Sequence, residues 1–294
     1  MANYNWGNEF GPFREVQGEA GEGEGDVALR VNWEHVHHIH RAISMKLLEV
    51  VPAESLERIR ELDVFIYQLS FPYTQVLLDG DGDGEGEVVA GLRKEYKDND
   101  HPHLESDWAG VTGQWKISFC FCDHGHLIRF NKALRSLSSS PPDLNDPHYP
   151  PEAHKLSQAE VLRTMTVSLR ITKVVQNPEF PGRPTLYFGG ELDFGNGGGN
   201  SVMNGWVRVV DDSDFDSEDE GRGGRGRENA AIRWHFVSGE TGNPIWSGEG
   251  VQIGGVKSAF GVLGSWTTIF HDIDDPVGPF WLRKQLDSEP EADD

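Results

Sequence analysis

Polar and hydrophobic positions alternate most cleanly between Thr164 and Thr172, where Met165, Val167, Leu169 and Ile171 are interleaved with Thr164, Thr166, Ser168, Arg170 and Thr172. Successive side chains of a strand point to opposite faces, so this pattern predicts a half-buried strand. Residues 114–122 repeat it, with Trp115, Ile117, Phe119 and Phe121 on one face and Lys116, Ser118, Cys120 and Cys122 on the other. Further strands are predicted at 63–69, 73–78, 185–188, 202–210, 232–237, 245–253, 260–270 and 280–283. The period changes over residues 32–50. Val36, Ile39, Ile43 and Leu47 recur at helix spacing, Asn32 is placed to cap the N-terminus, and Glu34 falls in the first turn. A second short helix or turn follows Pro52 over 53–60, and 157–160 resembles a helix start. Roughly ten strands with one or two accessory helices predict an all-β fold: a single antiparallel β-barrel or lipocalin-like sandwich over residues 62–284. It is preceded by an acidic and helical segment (1–61) and followed by an acidic tail (285–294).

Three stretches break the pattern. Residues 15–26, 79–87 and 211–228 are Glu/Gly, Asp/Gly and Asp/Glu followed by Arg-Gly, too polar to bury apolar area against their ordering entropy. They are expected to be disordered insertions, and 95–105 and 138–151 to be loops. The net charge of −22 disfavours sequence-independent nucleic-acid binding and anionic membranes. No run approaches the roughly 20 apolar residues of a membrane span, and the N-terminus lacks the basic start and apolar stretch of a secretory signal. Only Cys120 and Cys122 are present, too close together to staple distant segments, so a reducing compartment, cytoplasm or nucleus, is expected.

Candidate chemistry concentrates near the C-terminal end. In residues 246–252, Trp246, Gly248, Gly250 and Gln252 share one strand face, and the two glycines bare a stripe of backbone that another chain could approach closely. With Trp266 and His271 nearby, these six are the expected partner-binding residues. The same glycines equally suit a barrel that must bend. Other clusters are weaker. Cys120, Cys122, His124 and His126 would spread over roughly 20 Å along a strand, whereas zinc holds its ligands about 2.0–2.3 Å away. Residues 79–84 fit the first half of a calcium loop, but Ala90 stands where a bidentate Glu belongs. His35, His37, His38 and His40 read as solvated helix histidines. His271, Asp272, Asp274 and Asp275 pair a base with carboxylates, but the Asp-Pro context is that of a turn. Arg222, Arg225 and Arg227 follow acidic residues that would compete for them, and Ser213 and Ser217 could be phosphorylated among carboxylates. No phosphate loop, nucleophile elbow or zinc spacing is present, so no metal, cofactor or catalytic residue is expected.

Several of these motifs belong together. Residues 107–111 (DWAGV) leading into 115–124 (WKISFCFCDH), the strand at 232–237 (IRWHFV), 246–255 (WSGEGVQIGG), 261–267 (GVLGSWT), His271, 275–281 (DPVGPFW) and 31–36 (VNWEHV) resemble segments of a large group of fungal F-box-type proteins. The resemblance runs from about residue 10 to 284. More remotely, the glycine-rich strand is similar to that of the cyclin-binding β-barrel in animal F-box ubiquitin-ligase receptors. The resemblance implies a substrate-recognition barrel, with ligase assembly performed by an F-box of some 40–50 residues on its N-terminal side. Residues 1–62 depart from that pattern, offering little more than one good helix. Either the F-box has been lost or the start of the gene is misplaced, and a Skp-type adaptor is left without its docking element here.

The expected function is therefore a non-enzymatic module for a protein or peptide partner. The competing expectation is a lipocalin-like barrel holding a small apolar ligand, or an enzyme built on one, since about eight strands can enclose one small ligand. A third is a structural remnant of a decayed receptor gene.

Overall fold

The computed structural model describes residues 11–17, 27–50, 70–75, 103–121, 161–193, 201–211, 230–272 and 275–285. Within them lie ten strands and one α-helix: β1 (Phe13–Gln17), β2 (Val27–Val31), α1 (Trp33–Val50), β3 (Gly113–Phe121), β4 (Val161–Val175), β5 (Thr185–Asp193), β6 (Ser201–Asp211), β7 (Ala230–Glu240), β8 (Asn243–Gln252), β9 (Val262–Thr268) and β10 (Gly278–Lys284). Each of β3 to β10 pairs antiparallel with the next, and β10 pairs back onto β3, closing an eight-stranded barrel. The expected single antiparallel barrel is the fold observed. Closure leaves the barrel itself without a free strand edge.

The interior is filled by the alternating face of each strand. Trp115, Val167, Leu169, Leu186, Phe188, Met203, Val207, Trp234, Phe236, Val262, Phe280 and Leu282 are all buried in one cluster. Trp234 packs against both Trp115 and Phe188, each with ring centres 5.4 Å apart. A second apolar layer lies outside the wall. There Val36, Ile39 and Ile43 of α1, with Phe13 and Val31 of the β1–β2 pair, cover Cys120, Val251, Leu263 and Trp281. The helix face predicted from spacing is the one that packs, and Asn32 caps it, its Oδ1 accepting the His35 amide at 3.1 Å.

The outer layer explains two kinds of strand. β5 alternates between buried and exposed positions, whereas residues 247–252 of β8, 262–267 of β9 and 278–282 of β10 are buried on both faces. Strands covered on both sides lose the polar face that marks an ordinary antiparallel strand.

Two expectations need correction. Residues 15–17 belong to β1, paired with Val27, Ala28 and Leu29, so the first insertion does not begin at 15, and the segment before the barrel holds a strand pair as well as a helix. The stretch read as a strand from 73 starts as a turn and a single 3₁₀ turn over 70–75. Its backbone bonds to a loop, Tyr73 N to Val256 O at 2.8 Å and Gln75 N to Lys257 O at 3.0 Å. The expectations for 53–60, 63–69, 76–78, 79–87, 138–151, 157–160 and 212–228, and for Cys122, His124, His126 and Asp274, lie outside the described residues. Among the described residues no helix is long and apolar enough to cross a membrane.

Candidate functional site

β8 presents Trp246, Gly248, Gly250 and Gln252 on one face, as its alternation requires, and that face looks into the barrel. Gly248 lies opposite Phe236 on β7 and Trp266 on β9, and Gly250 lies opposite Trp234 and Gly264. A methyl group added at Gly248 would overlap the Phe236 ring. One at Gly250 would come within 2.6 Å of Val262 Cγ1 and 3.0 Å of Phe280 Cζ, and Gly264 meets the same Phe280 ring. Phe236 and Phe280 then meet edge to face, 5.2 Å between centres. The close approach that the glycines permit is thus made by this chain's own aromatic rings. Gly248 and Gly250 are filled from inside, and a partner's backbone has no access to them there.

Gln252 is also used internally. It is 4% exposed, and its Oε1 accepts Trp234 Nε1–H at 2.8 Å, while its Nε2 donates to Ala109 O and Gly255 O at 3.1 and 2.8 Å. These bonds stitch β8 to a plug across one barrel end. The plug is the turn before β3. Asp107 accepts the amides of Gly110 and Val111 on Oδ1, both at 2.8 Å, and of Thr112 on Oδ2 at 2.7 Å. Trp115 Nε1 donates to Val111 O, and Gln75 Nε2 to Gly110 O and Ser258 O. Every buried polar side chain named here has its partner, as burial demands.

The opposite end is different. Trp246 and Trp266 meet edge to face at 5.2 Å, Phe121 stacks on Trp266 at 6.1 Å, and Phe119 approaches it edge-on at 6.1 Å. Trp266 is fixed by an Nε1–H bond to Cys120 O at 3.1 Å. Trp246, Phe119, Phe121 and Met165 are only partly buried. On the rim beside them Ile245 is 40% and Phe270 71% exposed, tied together by the bond from Ile269 N to Ile245 O at 2.9 Å. Of the six sequence-derived candidates, Trp246 and Trp266 meet in this aromatic mouth. His271 lies exposed just past the end of β9, with a φ of 54°. Asp275, read beside it as a possible acid or base, serves the turn: Oδ2 accepts Thr268 Oγ1–H and the Asp272 amide.

Sequence reasoning missed three features. Phe119 and Phe121 were placed on the correct face, but nothing in their spacing paired them with Trp266 across the β10 strand. Ile245 and Phe270 are large apolar residues at strand ends, a signal available but unused. On the outer face, Arg233 donates to both carboxylate oxygens of Glu249 at 2.7 and 2.9 Å, and His235 Nδ1 lies 2.8 Å from Oε1. Same-face Arg233 and His235 on β7 opposite an acid on β8 could have suggested that cluster. Burial, and after it His38, lowers the His35 pKa, against a hydrogen bond to the Gly11 backbone that raises it. Among the described residues no group of three His, Cys, Asp or Glu is arranged to hold a metal.

Comparison with protein-family models, with curated proteins and with solved structures gives no significant match. The mouth's chemistry must speak for itself. It offers flat apolar rings, partly uncovered, which suits contact with an apolar side chain.

Proposed function

We propose that the chain is a non-enzymatic recognition barrel that holds a protein or peptide partner at its aromatic mouth, within the cytoplasm or nucleus. The observation that carries this reading is the partly exposed set Trp246, Phe119 and Phe121, flanked by exposed Ile245 and Phe270. Contiguous exposed apolar surface with aromatic anchors is characteristic of interaction sites. The F-box-type resemblance supports the same class of function, that of a substrate receptor in ubiquitin ligation. A Skp-type adaptor is not part of the proposal. A small-ligand barrel draws less support, because Trp115, Trp234 and Phe280 are fully buried across the interior. A ligand would then compete for the mouth itself.

The test is quantitative affinity purification with the full chain and with Phe270→Ala and Trp246→Ala variants, read by mass spectrometry. A partner retained by the parent and lost from Phe270→Ala, whose circular dichroism and melting temperature stay unchanged, supports the reading. Identical partner lists from all three folded proteins would sink it.

A further inference from the structure

The outer wall of β4–β7 carries its own row of side chains, away from the mouth and from the surface that α1 covers. Register sets Lys173 beside Tyr187, Tyr187 beside Trp206, and Trp206 beside His235, with Arg208 opposite Arg233 in the next row. Lys173 Nζ lies 5.6 Å from the centre of the Tyr187 ring, and the Arg208 guanidinium 4.6 Å from that of Trp206. Arg233 approaches Trp206 at 5.3 Å, and the His235 ring stacks on it at 5.3 Å and 25°. Lys173, Tyr187 and Arg208 are exposed. One carboxylate, Glu249, joins the row, and Arg233 and His235 already hold it. Among the described residues Arg208 and Lys173 have ring contacts but no ion pair.

We infer that this wall is a second interaction surface, which binds an extended acidic peptide segment of a protein partner. Each free cation lies over an aromatic ring, so little side-chain freedom is left to lose when a carboxylate arrives. The columns of Lys173 and Arg208 are two strands apart, about 10 Å, which an extended peptide spans in about three residues. Tyr187, on β5, lies between the columns and suits an apolar side chain between two carboxylates. Burial and then the Arg233 charge depress the Arg208 pKa, against Glu249, Glu179 and Tyr187, which raise it. Nucleic acid fits less well. Single strands bind by stacking bases on free aromatic faces and by neutralising many phosphates. Here His235 and two guanidiniums already lie against Trp206, and Glu179 acts on Arg208 from beside the row. Lys/Arg and Asp/Glu are nearly balanced among the described residues, so the net charge of −22 is not carried by this wall.

The experiment selects from a phage-displayed random peptide library on the immobilised full chain. The best peptide is then synthesised with a fluorophore and its affinity measured by anisotropy. Expected are sequences enriched in Asp or Glu around an apolar residue, with binding that weakens as salt rises. Lys173→Gln with Arg208→Gln should weaken it at least tenfold, while Phe270→Ala at the mouth leaves it unchanged. Both substituted side chains are exposed, and Lys173→Gln alone provides a milder variant should the pair lower the melting temperature. Selected sequences without acidic enrichment overturn the inference, as does undiminished binding by the double variant or loss of binding in Phe270→Ala. Tighter binding of a ten-nucleotide oligouridylate, lost in the same double variant, would reassign the wall to nucleic acid.

Discussion

Among the described residues the barrel has a covered wall and a bare one, and they are written in different residues. Where α1 and the β1–β2 pair lie over β8 to β10, the wall uses glycines inside and mostly small or apolar residues outside: Ser247, Ser265, Thr267, Val251 and Leu263, all buried, with Glu249 a charged exception held by Arg233. The same layer reaches parts of β4 and β6, but at Arg170, Lys173, Tyr187, Trp206 and Arg208 the outward positions of β4 to β6 carry long side chains instead. The interior is equally tight behind both. Packing outside the wall, rather than strand propensity, decides which residues a strand can carry.

The sharpest way to break the contrast is to overfill the covered wall. Gly264→Val places methyl groups against the Phe280 ring and the Glu249 carbonyl, and should cost about 3 kcal/mol or more in urea denaturation. Adding Phe280→Leu should recover part of that loss. A double variant no more stable than Gly264→Val would place the cost at the Glu249 carbonyl rather than at the ring. Next comes the cover itself. Ile39→Ala removes a side chain 1% exposed beneath α1 and should cost about 2–5 kcal/mol, provided the helix is part of the same cooperative fold. A separate, earlier melting step for the helix would contradict that.

A smaller effect should distinguish the walls by pH. His35 lies in the first turn of α1, its Nε2 3.4 Å from Ser265 Oγ, and burial lowers its pKa from the ordinary 6.5. Below about pH 6.5 the unfolded chain takes up a proton that the folded chain refuses. This contribution is therefore complete above that value and declines as pH falls toward the folded pKa. The melting temperature should drop between pH 7.5 and 5.5, and His35→Gln should flatten the drop. Equal slopes in the two proteins would place the titration elsewhere. Least of all, Lys173→Ala on the bare wall should change stability by within about 0.5 kcal/mol, and a larger loss would mean that the wall is covered after all.

The same contrast explains what the sequence disclosed. β4 was plain because its outer face is polar, so period two appears undiluted. β8 to β10 lack that polar face and were recognised by their glycines and tryptophans instead. Alternation correctly grouped Trp246, Gly248, Gly250 and Gln252, yet it reports only which residues share a face. Whether that face is filled depends on Phe236 and Phe280, from strands whose register is written nowhere in residues 246–252. β1 escaped notice because Arg14 and Glu15 are exposed and the strand is held by its pairing with β2 and by Phe13 packing on the barrel. The turn at 70–75 escaped for a related reason: its partners, Val256 and Lys257, lie far along the chain.

The order of the strands carries a kinetic consequence. From β3 to β10 each pairs with its immediate successor, and only the β10–β3 seam joins distant parts of the chain. Hairpins between successive strands can form in microseconds, whereas the seam must wait until the loop from Phe121 to Gly278 has been brought round. Loop closure costs grow only logarithmically, about 0.6 kcal/mol for each doubling of length. Long stretches between paired strands, such as 212–229 between β6 and β7, therefore delay their own hairpin slightly and the seam hardly at all. Cutting the chain within such a stretch and joining its present ends would move the seam to β6 and β7, making that pairing, now local, the last to form.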